Sequence, residues 1–579
     1  MFKLLKNFKW QDYMFLLVVV GLIVLQVWLD LRMPEYLGSI IGELQKSQYG
    51  LEVDINSILI NGAYMLACAV GSLGTMIING FLISNISSRF AYNVRQKVYD
   101  KVQGFSLAEI SKFSTASLIT RTTNDITQVQ MVIVMGMQAI FKAPILAVWS
   151  ILKILNISTS WSAAVGVAVV VLIIMITIIV ALAMPMFKKI QTLTDDINRV
   201  TRENLTGIRV IRASNAEGYQ EEKFAKYNQT LTKAHLFTGR IMSIMGPGMT
   251  LIMSGLSLAI YWIGAYIVKT PTDFANMMTF TTYAMNVLFA FMLLIMIFIL
   301  LPRAIVSAKR INEVLDTKNS IVSGEYVDEN FNETATVVFK NVSFKYPDAE
   351  EYVLENISFE AHEGETVAFI GSTGSGKSTL INLIPRLYDC TEGEILIDGV
   401  NVKDYYLENL NKKIGYVPQR GVLFSGTVKS NIDFGDNNAD DETIKKSISV
   451  AQATNFVSRM SDGIDSRISQ GGTNVSGGQK QRLSIARAIA RKPEIFIFDD
   501  SFSALDYKTD RKLRTALKKH TSTATKFIVA QRIGTIKDAD KIIVLDNGKV
   551  VGIGKHEELL KKCSVYKEIA LSQLSKEEL

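Results

Sequence analysis

Hydrophobic and polar positions divide the chain into two parts of different character. Up to about residue 310, six stretches stay apolar for longer than is usual in a soluble core helix, and each could cross about 30 Å of hydrocarbon. They lie at about 13–33, 57–83, 131–154, 157–184, 241–268 and 275–301. Beyond them, short apolar runs alternate with polar segments, which is typical of a soluble α/β domain.

The charge of the loops predicts the orientation of these spans. Lys3 and Lys6 precede the first span, and the loop after it carries Glu43 and Glu52. The loop near 84–130 is instead rich in lysine and arginine. Because cytoplasmic loops carry the excess of positive charge, we expect a multi-pass protein of the cytoplasmic membrane with both termini in the cytoplasm.

Several polar residues fall inside or near the spans, where they are expensive and usually face a partner or an aqueous cavity. Asp30 lies near the outer end of the first span, where snorkelling to the interface would account for it. Lys142 lies well inside the third span and is harder to explain in this way. Spans five and six are rich in methionine, and we expect some of these flexible side chains to line a substrate cavity.

Composition and net charge limit the classes of partner that this protein can have. The 579 residues are 48% hydrophobic, and the net charge of +7 is modest. We therefore expect a lipid membrane as a partner and no nucleic acid, which would require a concentrated basic face. The three cysteines, Cys68, Cys390 and Cys563, show no metal-ligand spacing and are interpreted as structural or incidental thiols.

A phosphate-binding loop follows the apolar strand 367–370. Its residues are Gly371, Ser372, Thr373, Gly374, Ser375, Gly376, Lys377, Ser378 and Thr379, and a helix is predicted from Leu380. Strand, glycine loop and helix are the context that this motif needs, because backbone N–H groups must wrap the phosphates. Lys377 would reach the β- and γ-phosphates, and the Ser378 hydroxyl would bind Mg²⁺.

Two further segments complete a nucleotide site. The apolar strand 495–498 ends in Asp499, a carboxylate placed to hold Mg²⁺. Between it and the phosphate loop stands the run Ser476, Gly477, Gly478 and Gln479. A serine and two glycines at a predicted helix N-terminus form a second anion site, too far along the chain to serve the same phosphates.

This run resembles the signature sequence of ATP-binding cassette (ABC) proteins, with Val475 in place of the usual leucine. The resemblance extends to the exporter branch, because segments 118–125 and 203–212 resemble its intracellular loops. It implies that Tyr346 stacks on adenine and that Gln419 senses Mg²⁺ and contacts the membrane domain. It also implies that Ser476–Gln479 faces the ATP held by another subunit.

The chain departs from the family pattern at two positions that bear on hydrolysis. Asp500 stands where the family usually has glutamate, so its carboxylate lies about 1.5 Å further back, and a misplacement of about 1 Å can cost about 100-fold. Gln531 stands where the family usually has histidine, and an amide cannot become a cation. With the rest of the motifs intact, these departures resemble the degenerate-site subunit of bacterial heterodimeric multidrug exporters.

The fold class that follows is a six-helix all-α transmembrane domain, of the type I ABC exporter kind, plus an α/β ATP-binding cassette. The predicted domains are 1–311, a linker at 312–335, and the cassette at 336–579. The expected function is ATP- and Mg²⁺-dependent efflux of hydrophobic or amphipathic small molecules, with a second, non-identical half-exporter as partner. A lipid or peptide exporter remains open. A soluble cassette protein is excluded by the six spans.

Overall fold

The computed structural model describes residues 2–6, 8, 10–47, 52–155, 157–328, 335–347, 349–435 and 439–573. The contacts between residues divide the chain into two compact units. The first contains residues 1–101 and 116–316, and the second contains residues 102–115 and 317–579.

Long helices make up the first unit together with the segment 102–115. They are α1 (Phe2–Leu5), α2 (Trp10–Lys46), α3 (Ile55–Gln103), α4 (Leu107–Phe113), α5 (Thr115–Thr122), α6 (Asn124–Leu155), α7 (Thr159–Thr206), α8 (Ile208–Ala213), α9 (Glu217–Ser243), α10 (Met245–Ile267) and α11 (Pro271–Asp316). Among the described residues, six helices or helix pairs are long and apolar enough to cross a membrane. The prediction of six spans is therefore confirmed.

Packing inside this unit follows from which helices share buried faces. Helix α11 packs most extensively on α6, and both contact α2. Helix α7 packs on α9 and α10. Many apolar side chains of these helices remain exposed within the chain, as expected for surfaces that face lipid or another protein.

Strands and short helices build the second unit. The strands are β1 (Val337–Phe344), β2 (Leu354–Ala361), β3 (Thr366–Gly371), β4 (Glu392–Ile397), β5 (Val400–Asn401), β6 (Ile414–Val417), β7 (Gly426–Thr427), β8 (Arg467–Ile468), β9 (Ile495–Asp499), β10 (Thr525–Val529), β11 (Lys541–Asp546) and β12 (Lys549–Gly554). The helices are α12 (Lys377–Leu383), α13 (Leu407–Lys413), α14 (Val428–Ile432), α15 (Asp441–Val450), α16 (Thr454–Val457), α17 (Gly477–Ala490), α18 (Tyr507–His520), α19 (Ile533–Ile536), α20 (His556–Lys562) and α21 (Ser564–Gln573).

The main sheet of this unit has the order β12-β11-β3-β10-β9-β6, and only β12 runs antiparallel to its neighbour. Strands β9 and β10 are buried at every position, as is expected for parallel strands covered on both faces. A smaller antiparallel sheet, β2-β1-β4-β5, packs its apolar side chains into a second core. The predicted α/β cassette fold is confirmed.

The predicted linker at 312–335 is partly helical, because α11 continues to Asp316. The residues that follow lie against the cassette: the N–H of Gly324 donates to the Tyr405 carbonyl and that of Tyr326 to the Asp404 carbonyl. Residues 329–334 of the predicted linker lie outside the described residues.

Candidate functional site

The topology of the main sheet gathers residues that are far apart in sequence. Strands β3, β10, β9 and β6 are neighbours and parallel, so their carboxyl ends meet at one edge. The phosphate loop follows β3, Asp499 ends β9, Gln531 follows β10, and Gln419 follows β6. This edge is where ligands bind in open parallel sheets.

The phosphate loop takes a backbone conformation that depends on glycine. Gly374 and Gly376 have φ of 87° and 93°, in the left-handed region that other residues rarely adopt. A Cβ at Gly376 would lie 2.7 Å from Cδ2 of Leu354, so a side chain there would also collide. Helix α12 begins directly after this residue, at Lys377.

Lys377 lies inside the curve of this loop. Its ammonium donates to the carbonyls of Gly371 (2.9 Å) and Ser372 (2.6 Å) and to Ser375 Oγ (3.2 Å). Burial lowers the pKa of Lys377, while the carboxylates of Asp499 and Asp500 act against this. The Lys377 ammonium therefore lies against the backbone of the phosphate loop.

The two residues expected to bind Mg²⁺ are in contact. Ser378 Oγ donates a 2.8 Å hydrogen bond to Asp499 Oδ1. Asp499 is 7% exposed, and burial raises its pKa although Ser378 lowers it. A hydroxyl and a carboxylate are ligands of the type Mg²⁺ uses beside substrate phosphates. The donor set present therefore fits the ion.

Asp500 is the centre of a small hydrogen-bonded cluster. Its Oδ2 accepts from Gln531 Nε2 at 2.9 Å and from Gln419 Nε2 at 3.3 Å. The residue is 6% exposed, and burial raises the pKa of its carboxyl group. The two positions that depart from the family pattern are thus direct partners in the structure. Gln419 was expected at the metal ion, and in this structure its side-chain amide donates to Asp500.

Sequence reasoning missed a residue that holds this cluster. Gln573, in the last described helix α21, donates through Nε2 to the Gln531 carbonyl at 2.7 Å. Its Oε1 accepts from the N–H of Ile533 at 2.9 Å. Gln573 therefore holds the loop after β10 at two backbone positions. No signal in the sequence connects positions 42 residues apart.

Tyr346, the expected adenine platform, is braced by aromatic edges. Its ring contacts Phe344 and Tyr388 edge-on, with centroids 5.0 and 5.4 Å apart. Its hydroxyl is 2.9 Å from Thr379 Oγ1, at the start of α12. Tyr346 therefore lies beside the phosphate loop, as stacking on a bound base requires.

The run Ser476–Gln479 forms a capped helix start. Ser476 Oγ accepts from the N–H of Gln479, and Gln479 Oε1 accepts from the N–H of Ser476 at 2.8 Å. Helix α17 then packs on the Gln419 loop, because Gln481 Nε2 donates to the Pro418 carbonyl at 2.9 Å. Val475, in place of the family's leucine, is buried in the core.

Helix α4, from the long loop between the second and third spans, belongs to the same compact unit as the cassette. Glu109 accepts from the backbone N–H of Ser320 at 3.1 Å through Oε1. Asn319 donates to the Gly104 carbonyl at 2.7 Å, and Ser106 Oγ lies 2.9 Å from Ser320 Oγ. The loop is therefore fastened to the segment that leads into this chain's own cassette.

Comparison with known proteins decides the family. The family described as the ABC transporter transmembrane region matches residues 16–292, and the family described as ABC transporter matches residues 354–503. An uncharacterized ABC transporter ATP-binding protein of Mycobacterium tuberculosis is 39% identical over 534 residues, covering 90% of each chain. The chain belongs to the ABC transporter family.

Other relatives agree with this assignment. The ABC transporter ATP-binding protein YfiB of Bacillus subtilis is 36% identical over 91% of each chain. The ATP-dependent lipid A-core flippase of Syntrophus aciditrophicus is 30% identical over 85% of this chain and 82% of its own. The structure of a bacterial Atm1-family ABC exporter with ATP bound has the same fold, with a TM-score of 0.78, 23% identity and 96% and 98% of the two chains covered.

This ABC transporter is thus an exporter half-transporter: one transmembrane domain and one ATP-binding cassette on a single multi-pass membrane chain. Its cassette is of the ATP-hydrolysing transporter kind. The family implies ATP binding, and the residues that the sequence predicts for the ATP site are gathered at the edge of the main sheet.

Proposed function

We propose that this half-transporter works in a heterodimeric efflux pump for hydrophobic or amphipathic compounds. Its own phosphate-loop site binds ATP and Mg²⁺ but hydrolyses ATP slowly. The observation that carries the proposal is the contact of the two departing residues, in which the Gln531 amide donates to the Asp500 carboxylate at 2.9 Å.

Binding of ATP and Mg²⁺ is supported by the groups that remain in place. Lys377 supplies the phosphate-facing cation, and the contact of Ser378 with Asp499 supplies an oxygen pair for the ion. Tyr346 supplies the platform for the base. Lys377→Ala is expected to weaken labelling of this site by a photoreactive ATP analogue, without reducing labelling of the partner's site.

Slow hydrolysis is supported by the state of the Asp500 carboxylate. A general base must bring a carboxylate oxygen within hydrogen-bond reach of the attacking water. Here the carboxylate is one methylene short of the family's glutamate, and its Oδ2 accepts from both Gln531 and Gln419. Gln531 also lacks the positive charge with which a histidine would face the γ-phosphate.

A second, non-identical subunit follows from this chemistry. Two copies of this chain would have Asp500 and Gln531 at both sites and no efficient hydrolytic site. The capped run Ser476–Gln479 is intact and would complete a competent site held by the partner's phosphate loop. Closure of the two cassettes around ATP would then drive the change from inward-facing to outward-facing.

The test is the steady-state ATPase rate of the assembled pump. Asp500→Ala is expected to reduce the rate far less than removal of the partner's catalytic glutamate. This chain purified alone is expected to show no substrate-stimulated hydrolysis at the usual rate. Equal losses in the two variants would mean that Asp500 is a working base and that the sites are equivalent.

Lipid export is the second candidate, because one relative that covers most of both chains is described as a lipid A-core flippase. The same pump reconstituted in vesicles distinguishes the two. ATP-dependent movement of a labelled lipid between leaflets, without accumulation of amphipathic dyes, would favour the lipid.

A further inference from the structure

Two charged residues from different spans pair inside the transmembrane unit. Lys142 Nζ on α6 lies 3.3 Å from Asp30 Oδ2 on α2, and the side chains are 22% and 23% exposed. The hydroxyl of Ser72, on α3, donates to the other oxygen of Asp30 at 2.5 Å. Snorkelling to the interface is therefore not the explanation for Asp30: it is paired with Lys142, well inside the third span.

This pair lies on the wall of a cavity of about 320 Å³. Lys142, Asp30, Asn286 and Thr282 form its polar part. The remaining wall is largely apolar and flexible, with Met33, Met65, Leu146 and Phe289 among its residues. One polar region facing adaptable apolar walls suits an amphipathic ligand, because such sites combine few polar contacts with much apolar area.

The ammonium of Lys142 has donor capacity left over in this pair. Both oxygens of Asp30 have partners, Ser72 and Lys142. The ammonium of Lys142 can donate three hydrogen bonds, and among the described residues its one polar partner is Asp30. At 3.3 Å that contact is longer than the roughly 2.7–2.9 Å of a strong charge-assisted bond. A ligand in this cavity therefore meets donors that can bind an anion.

A second cation continues the same face of α6 toward the outer end of the span. Lys153 follows Lys142 by 11 residues, which is about three turns, or roughly 16 Å along the helix. It pairs with Glu35 at 2.5 Å, and Arg32 also binds Glu35 at 2.7 Å. Lys153 and Glu35 line a larger, polar cavity of about 830 Å³.

Charged side chains along this route occur in pairs. The cations are Arg32, Lys142 and Lys153, and the carboxylates that face them are Asp30 and Glu35. The outer cavity also holds Glu43 and Lys46, which pair with each other at 2.7 Å. Lysines and carboxylates are equal in number in the lining of the two cavities, so the unused donor capacity of Lys142, not a net charge, is what favours an anion.

We propose that the cavity at Lys142 binds amphipathic anions, and that these are a substrate class of this exporter. The proposal rests on the export function proposed above and names its cargo. The carboxylate, phosphate or sulfate head lies on the Lys142 ammonium, and the apolar part lies against Met33, Met65 and Phe289. On release the head passes Lys153 on its way to the outer surface.

The test is equilibrium binding of tritiated dodecanoate to the purified two-subunit transporter in lipid nanodiscs, without ATP. Lys142→Gln is expected to weaken binding about tenfold or more, since a hydrogen bond to a charged group is lost. Asp30→Asn is expected to strengthen it, because the substitution releases the ammonium. Lys188→Gln, which removes an exposed lysine outside both cavities, is the matched control and should change nothing.

Opposite signs in the two variants distinguish a ligand site from a structural pair. If Lys142→Gln and Asp30→Asn weaken binding equally, or if dodecyltrimethylammonium competes as well as unlabelled dodecanoate, the proposal is wrong. Lys142→Arg, which keeps the charge, should retain binding and guards against a folding defect. Competition by phosphatidylglycerol that depends on Lys142 would identify a membrane lipid as the source, and its absence a free amphiphile. Because no ATP is present, unequal hydrolytic sites could be disproved without affecting this result.

Discussion

At the level of single residues, Asp500 and Gln531 act as a hydrogen-bonded pair although 31 positions separate them. Asp500 has a φ of 45°, a left-handed conformation that aspartate tolerates better than most residues. The backbone N–H of Asp500 donates to the Val529 carbonyl, and Ser503 Oγ donates to the Asp500 carbonyl. The backbone at this position is therefore well fixed, and what differs from the family lies in the side chains.

Restoring both family side chains should restore hydrolysis at this site. In Asp500→Glu with Gln531→His, the longer carboxylate would reach the water and the imidazole would contact the γ-phosphate. Each change alone should do less, because catalytic groups that act as a unit are not additive. The measurement is ATPase activity of the pump whose partner lacks its catalytic glutamate. No gain in the double variant would place the limitation elsewhere.

At the level of elements, Lys413 holds three segments of the cassette together. This lysine, at the end of α13, is fully buried, and its Nζ lies 2.9 Å from Asp328, 3.0 Å from Asp398 and 2.8 Å from Glu494. Burial alone lowers the pKa of Lys413, but the hydrogen bonds that it donates to Glu494, Asp328 and Asp398 outweigh this effect and raise the pKa. The segment leaving α11 is thus tied to the strands around β4 and β9.

Lys413→Met should destabilise the cassette by about 3–5 kcal/mol at pH 7, since it removes the buried ammonium shared by three carboxylates that are only 11–16% exposed. Because the pKa of Lys413 is raised in the fold, its contribution is fully present at neutral pH and is lost only above about pH 10.5. The loss in the variant should shrink on acidification, as the stranded carboxylates take up protons. Hydrogen exchange of the backbone amides of residues 394–417 measures this loss of stability.

The adjacent lysine provides the control for this prediction. Lys412 makes a single exposed pair with Glu408, one helical turn away, at 2.9 Å. Such a surface pair contributes about 0.5 kcal/mol or less. Lys412→Met should therefore leave the exchange of residues 394–417 unchanged. An equal effect of both substitutions would show that loss of charge, not loss of the buried anchor, is responsible.

At the level of the whole molecule, the charges of the loops predict which ends lie in the cytoplasm. A green fluorescent protein fused to the C-terminus should fluoresce in cells, because it folds in the cytoplasm. Alkaline phosphatase fused after Asp54, between the first two spans, should be active, and a fusion after Asp100 should be inactive. The reverse pattern in the two phosphatase fusions would invert the proposed topology.

Local properties of the sequence were enough to predict much of this protein. A span is recognised from its length and hydropathy, and the phosphate loop from nine adjacent residues, so six spans and a cassette could be predicted without a structure. The departures from the family pattern at Asp500 and Gln531 could likewise be recognised from the sequence, because each needs only the residue at one position. The expectation that Asp30 snorkels to the interface was less sound, because it was based on the position of Asp30 in the sequence and not on its neighbours in space.

The remaining features depend on contacts between distant segments, which only the tertiary structure decides. Asp500 and Gln531 meet because β9 and β10 are parallel neighbours whose carboxyl ends share an edge. Lys142 meets Asp30 because α6 and α2 pack side by side. Hydropathy shows that a helix crosses the membrane but not which face meets which neighbour, so a buried charge becomes part of a site only once packing has brought its partner to it.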